Sequence, residues 1–92
     1  MMQLEEIKAK ITPILLKHQI KRAGIFGSMT TGKFTRKSDV DILVEFNGNI
    51  GWQFLTLADE LEQLLGLKVD LVSRKGVKPR YFEHIQKDLI YV

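Results

Sequence analysis

The sequence predicts an α/β fold of the α+β type, with a small mixed three-stranded sheet flanked by helices in the order α-β-β-α-β-α. Helices are predicted where apolar residues recur at steps of three and four, and strands where short alternating or apolar runs lie between them. Helices that alternate with strands cover the faces of a shared sheet. A chain of 92 residues has room for one such core, so we predict a single domain over residues 1–92.

The first helix contains a proline that its pattern must accommodate. Either the helix kinks at Pro13, or Thr12 caps a second short turn with Pro13 in its first position. Residues 29–38 are polar, basic and rich in turn formers, which indicates a loop with room for one helical turn. The predicted strands are 20–26, 39–46 and 67–72, the middle helix covers 52–65, and the last helix begins at Pro79.

Two apolar segments could pack either in the core of the domain or in an interface. Trp52 and Phe54 open the middle helix, and we expect core packing for both rather than an interface. The chain ends on 89–92, Leu-Ile-Tyr-Val, which is too apolar for a free tail. That segment is either docked on the domain or held in an interface, and the second alternative includes a homodimer.

Composition favours a cytoplasmic protein that handles phosphates or an acidic partner. The net charge is +3, from 14 basic and 11 acidic residues, which is weaker than expected of a dedicated nucleic-acid binder. The absence of cysteine excludes disulfides and suits a reducing compartment. The N-terminus carries acids where a signal peptide needs a basic start, and no apolar run approaches the ~20 residues that cross a membrane.

The pair Asp39-x-Asp41 opens the clearest predicted strand. Residues i and i+2 of a strand share one face and lie roughly 6.6–6.8 Å apart along it. Two carboxylates in this arrangement repel each other unless a positive charge lies between them. Divalent cations about 3.5–4 Å apart, as in two-metal phosphoryl-transfer sites, fit that gap, and Mg²⁺ prefers such oxygen ligands.

A third acid and a glycine-serine pair are predicted to join this site. Asp70 alternates with apolar residues on the third strand and can complete a metal site or accept a proton. Gly27 ends the first strand, where its backbone can approach a phosphate closely, and Ser28 adds a hydroxyl donor. A right-handed crossover would make strands two and three parallel, which brings Asp70 to the same sheet edge as Gly27 and Asp39.

These residues carry a resemblance to a known family. Gly27-Ser28, ten residues and then Asp39-Val40-Asp41 resemble the Gly-Ser-x10-Asp-x-Asp signature of the DNA polymerase β-like nucleotidyltransferase superfamily. The strand around Asp70 is similar to the third-acid strand of its minimal branch. The resemblance covers nearly the whole chain and implies a polymerase-palm-like fold that transfers a nucleoside monophosphate, usually AMP from ATP, to a hydroxyl.

The resemblance also implies roles and a partner. Asp39 and Asp41 would hold two Mg²⁺ ions. Asp70 would complete the metal site and assist the acceptor. Gly27 and Ser28 would hold the triphosphate. Minimal members are commonly paired with a HEPN-domain ribonuclease toxin, which they neutralise as an antitoxin by attaching AMP to a toxin tyrosine.

The sequence departs from the family pattern directly after the serine. The family often reads Gly-Ser-Arg-Ala-Arg-Gly, whereas Met29, Thr30 and Thr31 stand here before Gly32. Other basic residues of the loop are therefore candidates for phosphate contact, and Ser38 is a candidate either for nucleotide contact or for capping the preceding turn. The basic candidates are Lys33, Arg36 and Lys37.

Two alternatives to the enzyme remain open at this stage. In the first, catalysis is lost with the missing arginines and the chain neutralises its partner by contact alone. In the second, the basic loops bind nucleic acid directly, which the cluster of acids disfavours because phosphates would be repelled.

Overall fold

The computed structural model describes residues 2–48 and 51–92, in which four strands form one sheet with helices on both faces. No helix in these ranges is both long and apolar enough to span a membrane. The elements are helix α1 (Leu4–Lys17), strand β1 (Arg22–Phe26), helix α2 (Ser28–Thr31), strand β2 (Val40–Glu45), helix α3 (Gln53–Leu65), strand β3 (Val69–Ser73), helix α4 (Pro79–Gln86) and strand β4 (Ile90–Tyr91).

The strands lie in the order β3-β2-β1-β4, with β2 and β3 parallel and both other pairs antiparallel. The predicted α/β fold with a mixed sheet is confirmed, and the structure adds a fourth strand to the three predicted. The added strand β4 has only two residues, too few to show an alternation in the sequence. The apolar end of the chain is therefore docked on the domain, where β4 pairs with β1.

One face of the sheet is covered by α1 and α3. The side chains at this layer form the larger core, in which Ile7, Ile11, Leu57 and Leu61 meet strand residues such as Ile42. These five side chains are fully buried. Burial of a Leu or Ile side chain stabilises a fold by about 1.5–3 kcal/mol, so this layer holds the sheet in place.

Helix α1 continues through its proline as one helix of 14 residues. The alternative of a second capped turn is wrong: the Thr12 hydroxyl donates to the carbonyl of Lys8 at 2.7 Å, inside the helix. Pro13 lies on the exposed side, so the carbonyl that loses its usual donor can be hydrated there.

The middle helix begins one residue later than predicted, and Trp52 is its N-cap. The expectation that Trp52 lies in the core is wrong, because its side chain is 84% exposed. The residue precedes the first helical turn and so lies outside the buried stripe of the helix. Phe54 is half-buried and packs on Phe46, with ring centroids 6.3 Å apart.

The opposite face of the sheet is covered in its centre by α4. Ile85 packs there with Phe26 and Leu43 in a second, smaller apolar cluster. Asp41 lies two residues before Leu43 on β2, and Asp39 lies two residues before Asp41, directly ahead of the strand, so both share the face of Leu43. The smaller apolar layer therefore does not cover the start of β2, where the two acids lie.

Gly24 allows the C-terminal segment to lie against β1, and its replacement tests that packing. A Cβ at this position would lie 2.6 Å from Leu89 Cδ1 and 3.1 Å from the Ile90 carbonyl oxygen. We expect Gly24→Ala to lower the free energy of unfolding by about 1–3 kcal/mol, as overpacking does, in urea unfolding followed by circular dichroism. Gly76→Ala is the matched control, because the nearest atoms to its Cβ are 3.9 Å away. Equal stability of the two variants would contradict close docking of β4.

Candidate functional site

The ends of three strands meet at one end of the sheet. In the antiparallel pair Phe26 of β1 lies opposite Asp41 of β2, and in the parallel pair Asp41 lies beside Asp70 of β3. The predicted parallel pairing of strands two and three is therefore confirmed. This pairing brings Gly27, Asp39, Asp41 and Asp70 to the same end of the sheet. They lie within a few residues of one another along neighbouring strands, and neighbouring strands are about 4.8 Å apart.

The three acids also share one face of the sheet. Val40 and Ile42 are fully buried in the α1/α3 layer, so the alternate residues Asp39 and Asp41 point to the opposite face. Asp70 is the register partner of Asp41 and points the same way. Asp39 and Asp41 are half-buried, whereas Asp70 is exposed to solvent.

The carboxylate of Asp41 lies against the bare Cα of Gly27. Gly27 has φ 75°, in the left-handed region that favours glycine, and a Cβ there would collide with Asp41 Oδ2. The absent side chain thus makes room for the acid at the turn that joins β1 to α2. We predicted a close approach of Gly27 to a phosphate but missed this contact, since it depends on the register of Phe26 with Asp41.

Crowding raises the pKa of Asp41 to about 6 from an ordinary 3.8. Partial burial is the largest cause, because it disfavours the charged form, and the negative charges of Asp70 and then Asp39 add to it. A protonated Asp41 is therefore favoured in the folded chain, and its contribution to stability is complete below about pH 4. That contribution is lost as the pH rises through about 6, which leaves a destabilising concentration of charge at neutral pH.

The chemistry of these side chains fits a hard cation. Three carboxylates supply oxygen ligands, and a positive charge between them would relieve the repulsion that raises the Asp41 pKa. Within residues 2–48 and 51–92, no three acidic or histidine side chains are already close enough together to hold a metal ion. The metal-binding roles of Asp39, Asp41 and Asp70 therefore stay predictions.

Helix α2 is a single turn that begins directly after Gly27. The Gly27 carbonyl accepts hydrogen bonds from the backbone N–H groups of Thr30 and Thr31, at 3.1 and 3.2 Å. Ser28 is half-buried at the first position of this turn, next to the Gly27–Asp41 contact. Met29, where the family often has arginine, is a member of the larger core. The turn thus buries the position at which the family pattern often has a charged side chain.

The other predicted nucleotide contacts lie in the loop after α2. Lys33 is exposed, and its backbone N–H donates to the Ser28 carbonyl at 3.1 Å, so it stays near the turn. Arg36 is exposed and lines a groove with Leu65 and Leu67 on the side of the helical layer. The Ser38 hydroxyl accepts from the Thr35 N–H at 3.0 Å and also shares a hydrogen bond with the Thr35 hydroxyl, which is the turn-capping alternative.

The Gly27–Asp41 contact can be tested by a change at Gly27 with and without the Asp41 carboxylate. We expect Gly27→Ala to lower the free energy of unfolding by about 2–4 kcal/mol, since it adds both backbone strain at φ 75° and ψ −146° and a collision with Asp41. In the Asp41→Ala background only the strain remains, so the loss should be smaller. Urea unfolding at pH 7.5 compares the two losses, and an equal loss of stability would show that Asp41 does not pack on Gly27.

The sequence and fold match known nucleotidyltransferases. Residues 9–92 match the family model described as polymerase beta nucleotidyltransferase. The chain is 42% identical over 92 residues to a Methanocaldococcus jannaschii protein provisionally named a protein adenylyltransferase, a match over 99% of each chain. It is 35% identical over 97 residues to protein adenylyltransferase MntA of Thermococcus cleftensis, a match over 100% of this chain and 98% of the relative.

Solved structures share the fold. One is provisionally described as a minimal nucleotidyltransferase and has TM-score 0.83 and 33% identity, over 97% of this chain and 95% of that chain. Another is a tri-AMPylated HEPN toxin in complex with MNT antitoxin from Shewanella oneidensis. The matching chain there has TM-score 0.76 and 21% identity, over 95% of this chain and 69% of its own length, which is a likeness of fold. Because the family model covers most of the chain and two relatives match it almost end to end, this chain belongs to the polymerase β-type nucleotidyltransferase family.

Proposed function

We propose that this chain is a Mg²⁺-dependent protein adenylyltransferase that transfers AMP from ATP to a hydroxyl of a partner protein. The observation that carries the proposal is the convergence of Gly27, Asp39, Asp41 and Asp70 at one end and on one face of the sheet. The names of two nearly full-length relatives support adenylyl transfer to protein. The acceptor we propose is a tyrosine of a HEPN-domain toxin, which would make the chain its antitoxin.

The triphosphate is proposed to lie at the turn between β1 and α2. Ser28 offers a hydroxyl there, and Lys33 is the nearest of the candidate basic residues along the chain to that turn. Ser38 would have to leave its hydrogen bonds with Thr35 to reach the same phosphates, and Arg36 lines a groove with Leu65 and Leu67. We therefore expect Ser28 and Lys33 to contribute more to nucleotide affinity than Arg36 or Ser38.

The proposed reaction forms one P–O bond and breaks another. The acceptor oxygen attacks the α-phosphorus of ATP, the bond to the β-phosphate oxygen breaks, and pyrophosphate leaves. Asp70, which is exposed beside Asp41, would take the hydroxyl proton. Bound Mg²⁺, held by Asp39, Asp41 and Asp70, would neutralise charge on the phosphates and orient the reacting oxygens.

The partner is proposed from the neighbours and from charge. A chain of this fold occurs in a complex that contains a tri-AMPylated HEPN toxin. The net charge of +3 suits a less basic protein partner. ATP use also agrees with the cytoplasmic location expected from a cysteine-free sequence. A homodimer stays a prediction.

A contact-only antitoxin is the second candidate, and a specific observation favours it. Met29 occupies a family arginine position and is packed in the core, while Thr31 stands at the other. Neither position supplies a positive charge to the phosphates. If Lys33 does not compensate, the fold would bind its partner without modifying it.

Intact-mass measurement separates the two candidates. The chain is incubated with ATP, Mg²⁺ and the product of the adjacent gene, which the proposal takes to be the HEPN-domain acceptor, and both proteins are weighed. We expect the partner to gain the mass of AMP, and Asp39→Asn or Asp41→Asn to lower the rate by a factor of about 100 or more, because transition-state charge is no longer stabilised.

Asp59→Asn is the matched control, since Asp59 is an exposed acid on α3, on the other side of the sheet. A stable complex without any mass gain would contradict the transferase and support the contact-only antitoxin. Retention of full activity in both site variants would show that the convergent acids are not the catalytic groups.

A further inference from the structure

A polar pocket lies on the same face of the sheet as the acids, at the opposite end. It has a volume of about 310 Å³ and includes Arg22, Glu45, Arg74, Phe82, Gln86 and Tyr91 among its lining residues. Glu45 is four residues beyond Asp41 on β2, which places the pocket roughly 13 Å from the acids along the strand. The apolar cluster around Ile85 fills the stretch between the two sites.

Aromatic rings hold the two arginines of this pocket. The guanidinium carbon of Arg74 lies 3.7 Å from the ring centroid of Phe82, and that of Arg22 lies 5.5 Å from the centroid of Tyr91. A guanidinium that stacks on a ring keeps its five edge N–H donors available for a carboxylate or phosphate. The rings therefore orient both arginines without using their hydrogen-bonding capacity.

The donors of these arginines have no anionic partner in the described part of the chain. Arg22 and Glu45 are register partners across β1 and β2, yet no ion pair within 4 Å joins Glu45 to Arg22 or to Arg74 in residues 2–48 and 51–92. An adjoining pocket of about 350 Å³ shares Glu45 and Arg74 and adds the exposed Lys75. Three positive side chains thus face one negative side chain across the two pockets.

We infer that these pockets dock an acidic segment of the acceptor protein, an inference that rests on the proposed function. Paired guanidinium groups bind carboxylates in bidentate geometry, which supplies the recognition chemistry. The face has opposite charge at its two ends, since the three acids lie at the starts of β2 and β3 and the arginines lie at the other end of the sheet, at the start of β1 and just after β3. An acidic segment is repelled from the catalytic end and attracted to the basic end. A protein bound there can extend past α4 to the catalytic acids, which a small anion cannot do.

A substitution at Glu45 is expected to strengthen acceptor binding, which a folding defect cannot do. The Glu45 carboxylate lines the same pocket as the two arginines and would repel an acidic segment. Glu45→Gln removes that repulsion and keeps the shape of the side chain. We expect this variant to bind the acceptor several-fold more tightly, whereas damage to the fold weakens binding.

The test measures the dissociation constant by calorimetry, without ATP, for the product of the adjacent gene as the proposed HEPN-domain acceptor. We expect the Arg22→Ala/Arg74→Ala double variant to raise the constant at least about tenfold, and to flatten its increase with NaCl concentration. Lys75→Glu is a second variant that leaves both arginine–ring contacts in place. Lys10→Ala on α1, which packs on the other face, is the control and should leave the constant unchanged.

Two probes identify the bound chemistry. A peptide of eight glutamates is expected to bind the wild type and to compete with the HEPN-domain protein, and inorganic phosphate at equal concentration is not. Competition by phosphate alone, or no effect of the arginine variants on either the protein or the peptide, would overturn the inference. RNA binding that these variants abolish while acceptor binding stays constant would also overturn it.

The proposed function and this inference fail separately. Weaker acceptor binding in the arginine variants, without any AMP transfer by the wild type, would keep the docking site and reject the transferase. AMP transfer with an unchanged dissociation constant and an unchanged KM for the acceptor would keep the transferase and reject the docking site.

Discussion

The candidate site depends on the packing of the Asp41 carboxylate against the Cα of Gly27. The turn from β1 into α2 needs a left-handed residue at this point, and the acid occupies the space that any side chain would take. The contact fixes Asp41 at the end of β1, and the parallel pairing of β2 with β3 then places Asp70 beside it. Ser28 follows directly, so the candidate phosphate contact and the acids are set by one turn of backbone.

The two faces of the sheet have different roles: one contains the larger core, and the other carries the candidate sites. The layer of α1 and α3 buries the larger core and holds β2 and β3 in place. The layer of α4 and β4 is smaller, and it covers the centre of the other face while leaving both ends of that face accessible. Acids lie at one end of this face and arginines lie at the other, so the face has a charge gradient along its strands. We regard that gradient as the basis on which an acidic partner would be positioned relative to the end that carries the acids.

Much of this arrangement could be predicted from the sequence, because periodicity reports which side chains share a face. The alternation along β2 predicted that Asp39 and Asp41 lie together, and the crossover rule predicted that Asp70 joins them. Strand β4 could not be predicted, since two residues carry no period and its pairing depends on the space left by Gly24. The exposure of Trp52 was missed because a residue just before a helix does not follow that helix's buried stripe. The position of Arg36 on the helical side is likewise set by loop packing, which the sequence pattern does not encode.

The central claim is that this site concentrates negative charge around a partly buried Asp41, and a carboxyl ¹³C NMR titration of the metal-free protein tests it most directly. The account predicts a pKa of about 6 for Asp41, and a lower pKa in Asp70→Asn, with a smaller decrease in Asp39→Asn. A part of the upward shift should persist in both variants, since burial is its largest cause. An Asp41 pKa near 3.8 that neither variant changes would contradict the account, because the acids would then be too far apart and too well hydrated to form one site.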